Sequence, residues 1–224
     1  MQIIAHRGLS DLFKENTLDA FKAAYNLGIN SFETDIQLTK DGEMVLVHDY
    51  LFNNKPIKEY SLRELKRFGF CTLEELLAIL DKRSKLNIEI KNDDNIYPDI
   101  EERLALCLKK HGQDKNANLL ISSFYLPSLQ KIKKLLPALK IGRLTRNFDI
   151  KEIEMLQPYS VNMSYKIVNK KIIETCHKKN IKVFIYTIND LKLFNKLKKD
   201  GVDAVFSDNP VLNQTNFFAV GCSV

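Results

Sequence analysis

Between positions 6 and 49 the chain sets two histidines, an arginine and several carboxylates in close order. The run is His6-Arg7-Gly8, then Glu15-Asn16-Thr17, then Glu33-Thr34-Asp35, then Lys40-Asp41-Gly42, then His48-Asp49. It supplies two possible proton shuttles, two hard metal ligands and an arginine able to hold phosphate, which is equipment for cleaving a phosphodiester. Such a cleavage needs one group to take a proton from the nucleophile and another to protonate the leaving alkoxide. Imidazole, with an ordinary pKa of about 6.5, does either at neutral pH. Arg7 offers a planar fork for a non-bridging phosphate oxygen. Lys91 can add a point charge, and Gly8 lets the backbone turn tightly beside the anion.

The carboxylates gain meaning from their spacing. Side chains two apart on a strand share a face, so Glu33 and Asp35 point the same way, as do Glu89 and Lys91. Ile88 and Ile90 alternate with the second pair. They are expected to face helices, which turns Glu89 and Lys91 inward. Carboxylates on an inner face are costly without a compensating cation. Glu33, Asp35 and Glu89 together form an all-oxygen set suited to one hard divalent ion, Mg²⁺ or Ca²⁺. His111 and His177 sit in lysine-rich helical stretches and read as exposed and chemically inert.

The elements that must position these groups alternate regularly. Strands are predicted at 2–6, 31–36, 86–91, 118–122, 139–144, 160–164, 182–187 and 203–207. Helical patterns lie between them at 16–28, 72–83, 98–111, 126–136, 150–157, 169–179 and 190–200. Asn16 or Thr17 can cap the first helix, and Thr72 with Glu75 forms a capping box for the second. Eight strands alternating with seven helical patterns in 224 residues, with no Gly/Pro/Ser-rich linker, predict one α/β domain over 1–224, a (β/α)₈ barrel. An open doubly wound sheet is the alternative, but no glycine-rich phosphate loop follows the first strand. The strand pattern Val45–His48 follows Asp41-Gly42 too closely to be a barrel strand. It reads as the arm of a β-hairpin, part of an insertion at about 37–70 after the second strand. A two-residue Asp41-Gly42 turn would place Lys40 opposite Glu43 and His48 opposite Asp35, and a bulge would move this by one residue.

Composition narrows the setting. The net charge of +6 suits an anionic substrate, but the lysines lie along helix faces, without the compact Arg/aromatic patch of a nucleic-acid binder. Cys71, Cys107, Cys176 and Cys222 are scattered without metal or disulfide spacing, as in a reducing compartment. No apolar run has membrane-spanning length, and His6 follows the start too closely for a signal peptide. A cytoplasmic protein is expected, its apolar tail at about 211–224 packed on the barrel or frayed. The oligomeric state is left open.

Taken together, His6-Arg7-Gly8, Glu15-Asn16-Thr17, Glu33-Thr-Asp35, Lys40-Asp41-Gly42, His48-Asp49, Glu89-Ile-Lys91, Ser123-Phe124, Tyr186-Thr187-Ile-Asn189 and Gly201-Val-Asp203…Ser207-Asp208-Asn209-Pro210 resemble the glycerophosphodiester phosphodiesterase family. The resemblance covers nearly the whole chain, and the ordered set is far more specific than any one motif. It implies a (β/α)₈ barrel with a small insertion after the second strand. It also implies one divalent ion on Glu33, Asp35 and Glu89, His6 and His48 as acid and base, and Arg7 and Lys91 on the phosphate. Phe124 and Tyr186 would wall the substrate pocket or simply pack in the barrel. The implied reaction is attack by the neighbouring glycerol hydroxyl, giving a cyclic phosphate that is then hydrolysed. Which histidine is acid and which is base stays open.

The chain departs from the family pattern at Lys14, where proline is common before Glu-Asn-Thr, and at Tyr186, where many relatives carry tryptophan. Its 50–70 segment is short. These departures bear on the alcohol released, not on the reaction class. The expected substrate is a small glycerophosphodiester. A lysophospholipase D-like or phospholipase D-like activity on lysophospholipids is the alternative and calls for an apolar rim. A non-catalytic phosphate-binding barrel would be expected to lack a histidine or a metal carboxylate, and this chain lacks neither.

Overall fold

The computed structural model describes residues 1–81 and 83–212. The chain opens with β1 (Gln2–His6), α1 (Leu18–Asn26) and β2 (Ser31–Leu38). An excursion follows, made of β3 (Met44–Leu46), the short strands β4 (Leu51–Phe52) and β5 (Lys55–Pro56), and α2 (Leu62–Lys66). Then α3 (Leu73–Ile79) returns to the outside, and regular alternation resumes with β6 (Lys85–Ile90), α4 (Ile100–Lys110), β7 (Leu119–Ser123) and α5 (Leu126–Leu135). It continues through β8 (Lys140–Thr145), α6 (Ile150–Leu156), β9 (Ser160–Ser164), α7 (Lys170–Lys178), β10 (Lys182–Tyr186), α8 (Leu191–Lys199) and β11 (Ala204–Ser207).

Eight of these strands are parallel neighbours in the order β1-β2-β6-β7-β8-β9-β10-β11, and β11 pairs back onto β1. The sheet is therefore closed, a (β/α)₈ barrel, and the open doubly wound alternative is excluded. The expected strands all form, with ends shifted by a residue or two. The tail at 211–224 lies outside the described residues beyond position 212.

Alternation along the strands divides the core. On β2 and β6, Phe32, Ile36, Ile88 and Ile90 join the layer between barrel and helices. Ile4, Leu120, Phe184 and Phe206 fill the inside of the barrel. Glu33, Asp35, Glu89 and Lys91 thus come from inward positions, as period-two spacing requires. The expected caps form: Thr17 accepts from the Ala20 N–H, and Thr72 with Glu75 makes the capping box of α3. Asn16 is left free for another task. Gly8 has a φ of +87°, and a Cβ there would lie 2.7 Å from the Ala20 carbonyl carbon, so the first loop packs against α1 only through glycine.

The hairpin corrects one expectation. Its pairs are Ile36–Leu46, Gln37–Val45 and Leu38–Met44. The turn holds three residues, Lys40 to Gly42, closed by a 3.0 Å bond from the Thr39 N–H to the Glu43 carbonyl. Gly42 takes the left-handed conformation at φ +81°, which lets a three-residue loop match the twist of the strands. Val47, not His48, is therefore level with Asp35, and its N–H donates to the Asp35 carbonyl at 3.1 Å. His48 lies one residue beyond.

The rest of the excursion builds its own small core from Val45, Ile57, Tyr60, Leu65 and Phe70. Phe52 meets Tyr60, Phe68 and Phe70 edge-on. This segment was expected only as a short insertion, and its strands and helix are too brief to show as periodic patterns. It stands beside the ends of β1 and β2, on the face where barrel loops carry chemistry.

Candidate active site

The first imidazole ends β1. His6 pairs in register with Glu33 on β2, and its Nε2 lies 4.0 Å from Glu33 Oε2. Its Nδ1 is 2.6 Å from Asp208 Oδ1, just past β11. Asp208 is itself held by Ser10 Oγ at 3.1 Å and by Asn189 Nδ2 at 2.6 Å. Burial acts to raise the Asp208 carboxyl, but the bonds from His6, Asn189 and Ser10 prevail and bring it down to about 2. It stays ionised at any working pH. It therefore fixes the ring by accepting a hydrogen bond from Nδ1–H, which leaves Nε2 toward the cavity.

His48 repeats the arrangement from the other side: its Nδ1 is 2.7 Å from Asp49 Oδ1. The backbone carrying it is pinned from within. The amide of Gln37, fully buried on β2, donates to the carbonyls of Val47, His48 and Asp49 at 3.2, 3.1 and 2.9 Å. Tyr97 Oη in turn donates to Gln37 Oε1 at 2.9 Å. Because three carbonyls of one loop depend on a single NH₂ group, Gln37→Leu is expected to lower kcat by about 10²-fold, the scale of a small misplacement of a catalytic group. Metal affinity should be retained, and an unchanged kcat would mean that the loop is held elsewhere.

Between the histidines lie the carboxylates. One oxygen each from Glu33, Asp35 and Glu89 fall within 4.8 Å of one another, and all three residues are buried. Asp35 is fully enclosed. Asn16 Nδ2 donates to its Oδ2 at 3.0 Å, while its Oδ1 is buried without a hydrogen-bond partner. Thr34 Oγ1 orients Asn16 from the far side at 2.8 Å. Burial first, and then the charge of Asp35, push Glu33 well above the ordinary carboxylate range and Glu89 up to about 7. The cations at hand are Arg7, whose Nε is 3.0 Å from Asp35 Oδ2, and Lys91, whose Nζ is 3.0 Å from Glu89 Oε1. Among the described residues, these two monovalent cations would leave one negative charge uncompensated once all three carboxylates are ionised, which is why burial resists that ionisation without a further cation. An orphaned carboxylate oxygen and an all-oxygen donor set fit a hard divalent ion.

These groups face a cavity of about 520 Å³ at the barrel mouth. His6, Arg7, Glu33, His48, Glu89 and Lys91 line its polar side. Phe124 and Tyr186 line the other side and meet edge-on at 6.3 Å, with the Arg146 guanidinium 4.2 Å above the Phe124 ring. The structure thus gathers the sequence-predicted residues, with Asp35 enclosed beneath. Arg7 is also tied to the first loop, where its Nη1 donates to Glu15 at 2.8 Å.

Gln37, Asp208, Asn189 and Arg146 were assigned no role from sequence. Asn189 and Asp208 belong to quoted motifs, and that was their only signal. Gln37 continues the inward series of Glu33 and Asp35, which marks its face but not its task. Of the remaining histidines, His177 is exposed as expected and is paired with Asp203 at 2.8 Å. His111, expected to be exposed, is half-buried against Glu74. No helix among the described residues is long and apolar enough to cross a membrane.

Residues 6–212 match the model of the glycerophosphoryl diester phosphodiesterase family. A glycerophosphodiester phosphodiesterase of Caldanaerobacter subterraneus is 34% identical, the match covering 93% of this chain and 94% of that protein. One of Bacillus altitudinis is 32% identical over 93% of this chain and 95% of its own. Among solved structures, an Oleispira antarctica phosphodiesterase in complex with the product sn-glycerol-3-phosphate superimposes with a TM-score of 0.86 at 28% identity, covering 94% of each chain.

Proposed function

This chain belongs to the glycerophosphoryl diester phosphodiesterase family and is a phosphoric diester hydrolase, and on that premise we propose that it splits small glycerophosphodiesters into an alcohol and sn-glycerol 3-phosphate with a divalent ion and a pair of histidines. The observation that carries this reading is the pair of imidazoles. Each is tied at Nδ1 to an aspartate, and both line one cavity with two of the three gathered carboxylates.

His6 takes the proton of the glycerol hydroxyl next to the phosphoester. That oxygen forms a bond to phosphorus as the bond from phosphorus to the departing alcohol breaks, and His48 gives the alcohol its proton. Water then opens the resulting cyclic phosphate with the two roles reversed. Arg7 and Lys91 hold the non-bridging oxygens and keep the phosphoryl group between the rings. Glu33, Asp35 and Glu89 would hold Mg²⁺ or Ca²⁺, which supplies positive charge against the charge developing on the phosphoryl oxygens. Phe124 and Tyr186 form an apolar wall for the glycerol or the departing group. Free, buried Cys71, Cys107 and Cys176 suit work in the reducing cytoplasm.

A second reading has its own support. Leu12, Phe13, Leu51 and Phe68 are exposed on the first loop and the excursion, apolar surface of the kind an acyl chain would need. The test is a panel of glycerophosphodiesters and lysophospholipids, assayed with Mg²⁺ and with Ca²⁺ for release of the free alcohol together with sn-glycerol 3-phosphate or its acylated form. Glycerophosphocholine or glycerophosphoethanolamine should turn over fastest. Cleavage of lysophospholipids alone would transfer the assignment to the second reading, and no release from any diester would end the first.

A further inference from the structure

Outside the barrel, α3 and α4 bring three unlike metal-binding groups together. Cys107 and His111 are four residues apart at the end of α4, so they share a face, and Glu74 opens α3 opposite them. One donor atom from each lies within 4.8 Å of the others. None of the three lines the barrel-mouth cavity. His111 Nε2 is enclosed and lies 3.5 Å from Glu74 Oε1, a long contact that leaves its hydrogen-bonding capacity poorly met. The Cys107 thiol is free and 6% exposed.

We infer that Glu74, Cys107 and His111 form a second metal site, for a borderline transition-metal ion of the Zn²⁺ class, that ties α3 to α4. The donor chemistry separates it from the barrel mouth. Sulfur, nitrogen and one carboxylate oxygen select Zn²⁺ or Co²⁺, whereas three carboxylates select Mg²⁺ or Ca²⁺. Zinc bonds of about 2.0–2.3 Å would draw the three donors inward from their present spacing. The movable member is Glu74, whose side chain is exposed and able to rotate.

Two neighbours bear on the charge. The exposed Lys110 ammonium sits on Glu74 Oε1 at 3.0 Å and must yield that oxygen, which costs little at the surface. Glu43, which closes the hairpin turn, is near enough for its charge to act on Cys107 and Lys110, and adds negative potential. Burial and the charge of Glu74 push the Cys107 thiol up to about 11, so the thiol is a poor nucleophile without a metal and the cluster does not read as a catalytic cysteine. Three protein ligands leave a coordination position for water. The site pins two helices and is independent of the phosphodiesterase assignment.

The test is titration of the whole protein with Co²⁺ and then Zn²⁺ in excess Mg²⁺, which occupies the all-oxygen site. Co²⁺ should give a near-ultraviolet thiolate-to-cobalt absorption that Zn²⁺ displaces one-for-one. Cys107→Ser should abolish the band. His111→Gln, at a half-exposed position that tolerates change, should weaken Zn²⁺ binding by at least about tenfold. Both variants should keep wild-type turnover with Mg²⁺. The inference is overturned by absence of the band in the wild type, by a band that survives Cys107→Ser, or by unchanged zinc affinity in His111→Gln. The last variant decides the matter if Cys107→Ser does not fold.

Discussion

His48→Ala is expected to reduce kcat by about 10²–10⁴-fold, the usual scale for loss of an acid or base. The ring is half-exposed at the cavity edge, and among the described residues its hydrogen bond is to its neighbour Asp49, so its removal should leave the melting temperature almost unchanged. The loss should also depend on the leaving group. If His48 protonates the departing alcohol, a diester releasing nitrophenolate needs no such proton, and most of the deficit should vanish. His6→Ala should lose a comparable factor on both substrates, because the attacking hydroxyl is the same in each. A deficit in His48→Ala that is equal on alkyl and nitrophenyl diesters would exchange the two roles. Near-normal turnover of the alkyl diester would remove His48 from the mechanism.

Chelation should abolish turnover, and Mg²⁺ or Ca²⁺ should restore it. The reason is electrostatic. Glu33, Asp35 and Glu89 meet in a space shielded from water, and Arg7 with Lys91 neutralises only two of the three charges. A divalent ion converts a net negative site to a net positive one, and only the latter attracts a phosphodiester anion. Glu89→Gln should therefore weaken the ion more than it weakens the fold, because the neutral amide keeps the shape of the carboxylate and Lys91 is freed. Isothermal titration with each metal, set beside thermal unfolding, separates these outcomes. A large fall in melting temperature with metal affinity intact would make Glu89 a structural residue. Full activity in chelator would remove the ion from the reaction.

The second ion inferred between α3 and α4 makes these experiments more exacting. A chelator strips both sites, whereas Mg²⁺ alone refills only the all-oxygen one. Recovery of turnover without recovery of full thermal stability would be the signature of two cations with different tasks.

How much of this was legible beforehand varied with the distance over which each feature is encoded. Period-two spacing placed Glu33, Asp35, Glu89 and Lys91 on inward faces, and alternation of strands with helices gave the barrel. Both are local signals repeated many times. The hairpin register was misread by one residue, because an Asp-Gly pair serves a two-residue turn and a three-residue turn with left-handed Gly42 equally well. The small core around Phe52 was missed because its elements are too short to be periodic.

By itself, then, the order of residues indicated the fold class through repeated short-range spacing, and its resemblance to a family pattern indicated the reaction family and the side chains proposed to carry protons and charge. Only the tertiary structure decided what holds them. Asp208 reaches His6 across 202 positions, Tyr97 steadies Gln37 across 60, and Cys107 meets Glu74 between separate helices. Such contacts are made when the sheet closes and the helices pack. No local pattern specifies them, because the free energy that selects them belongs to burial of the whole chain.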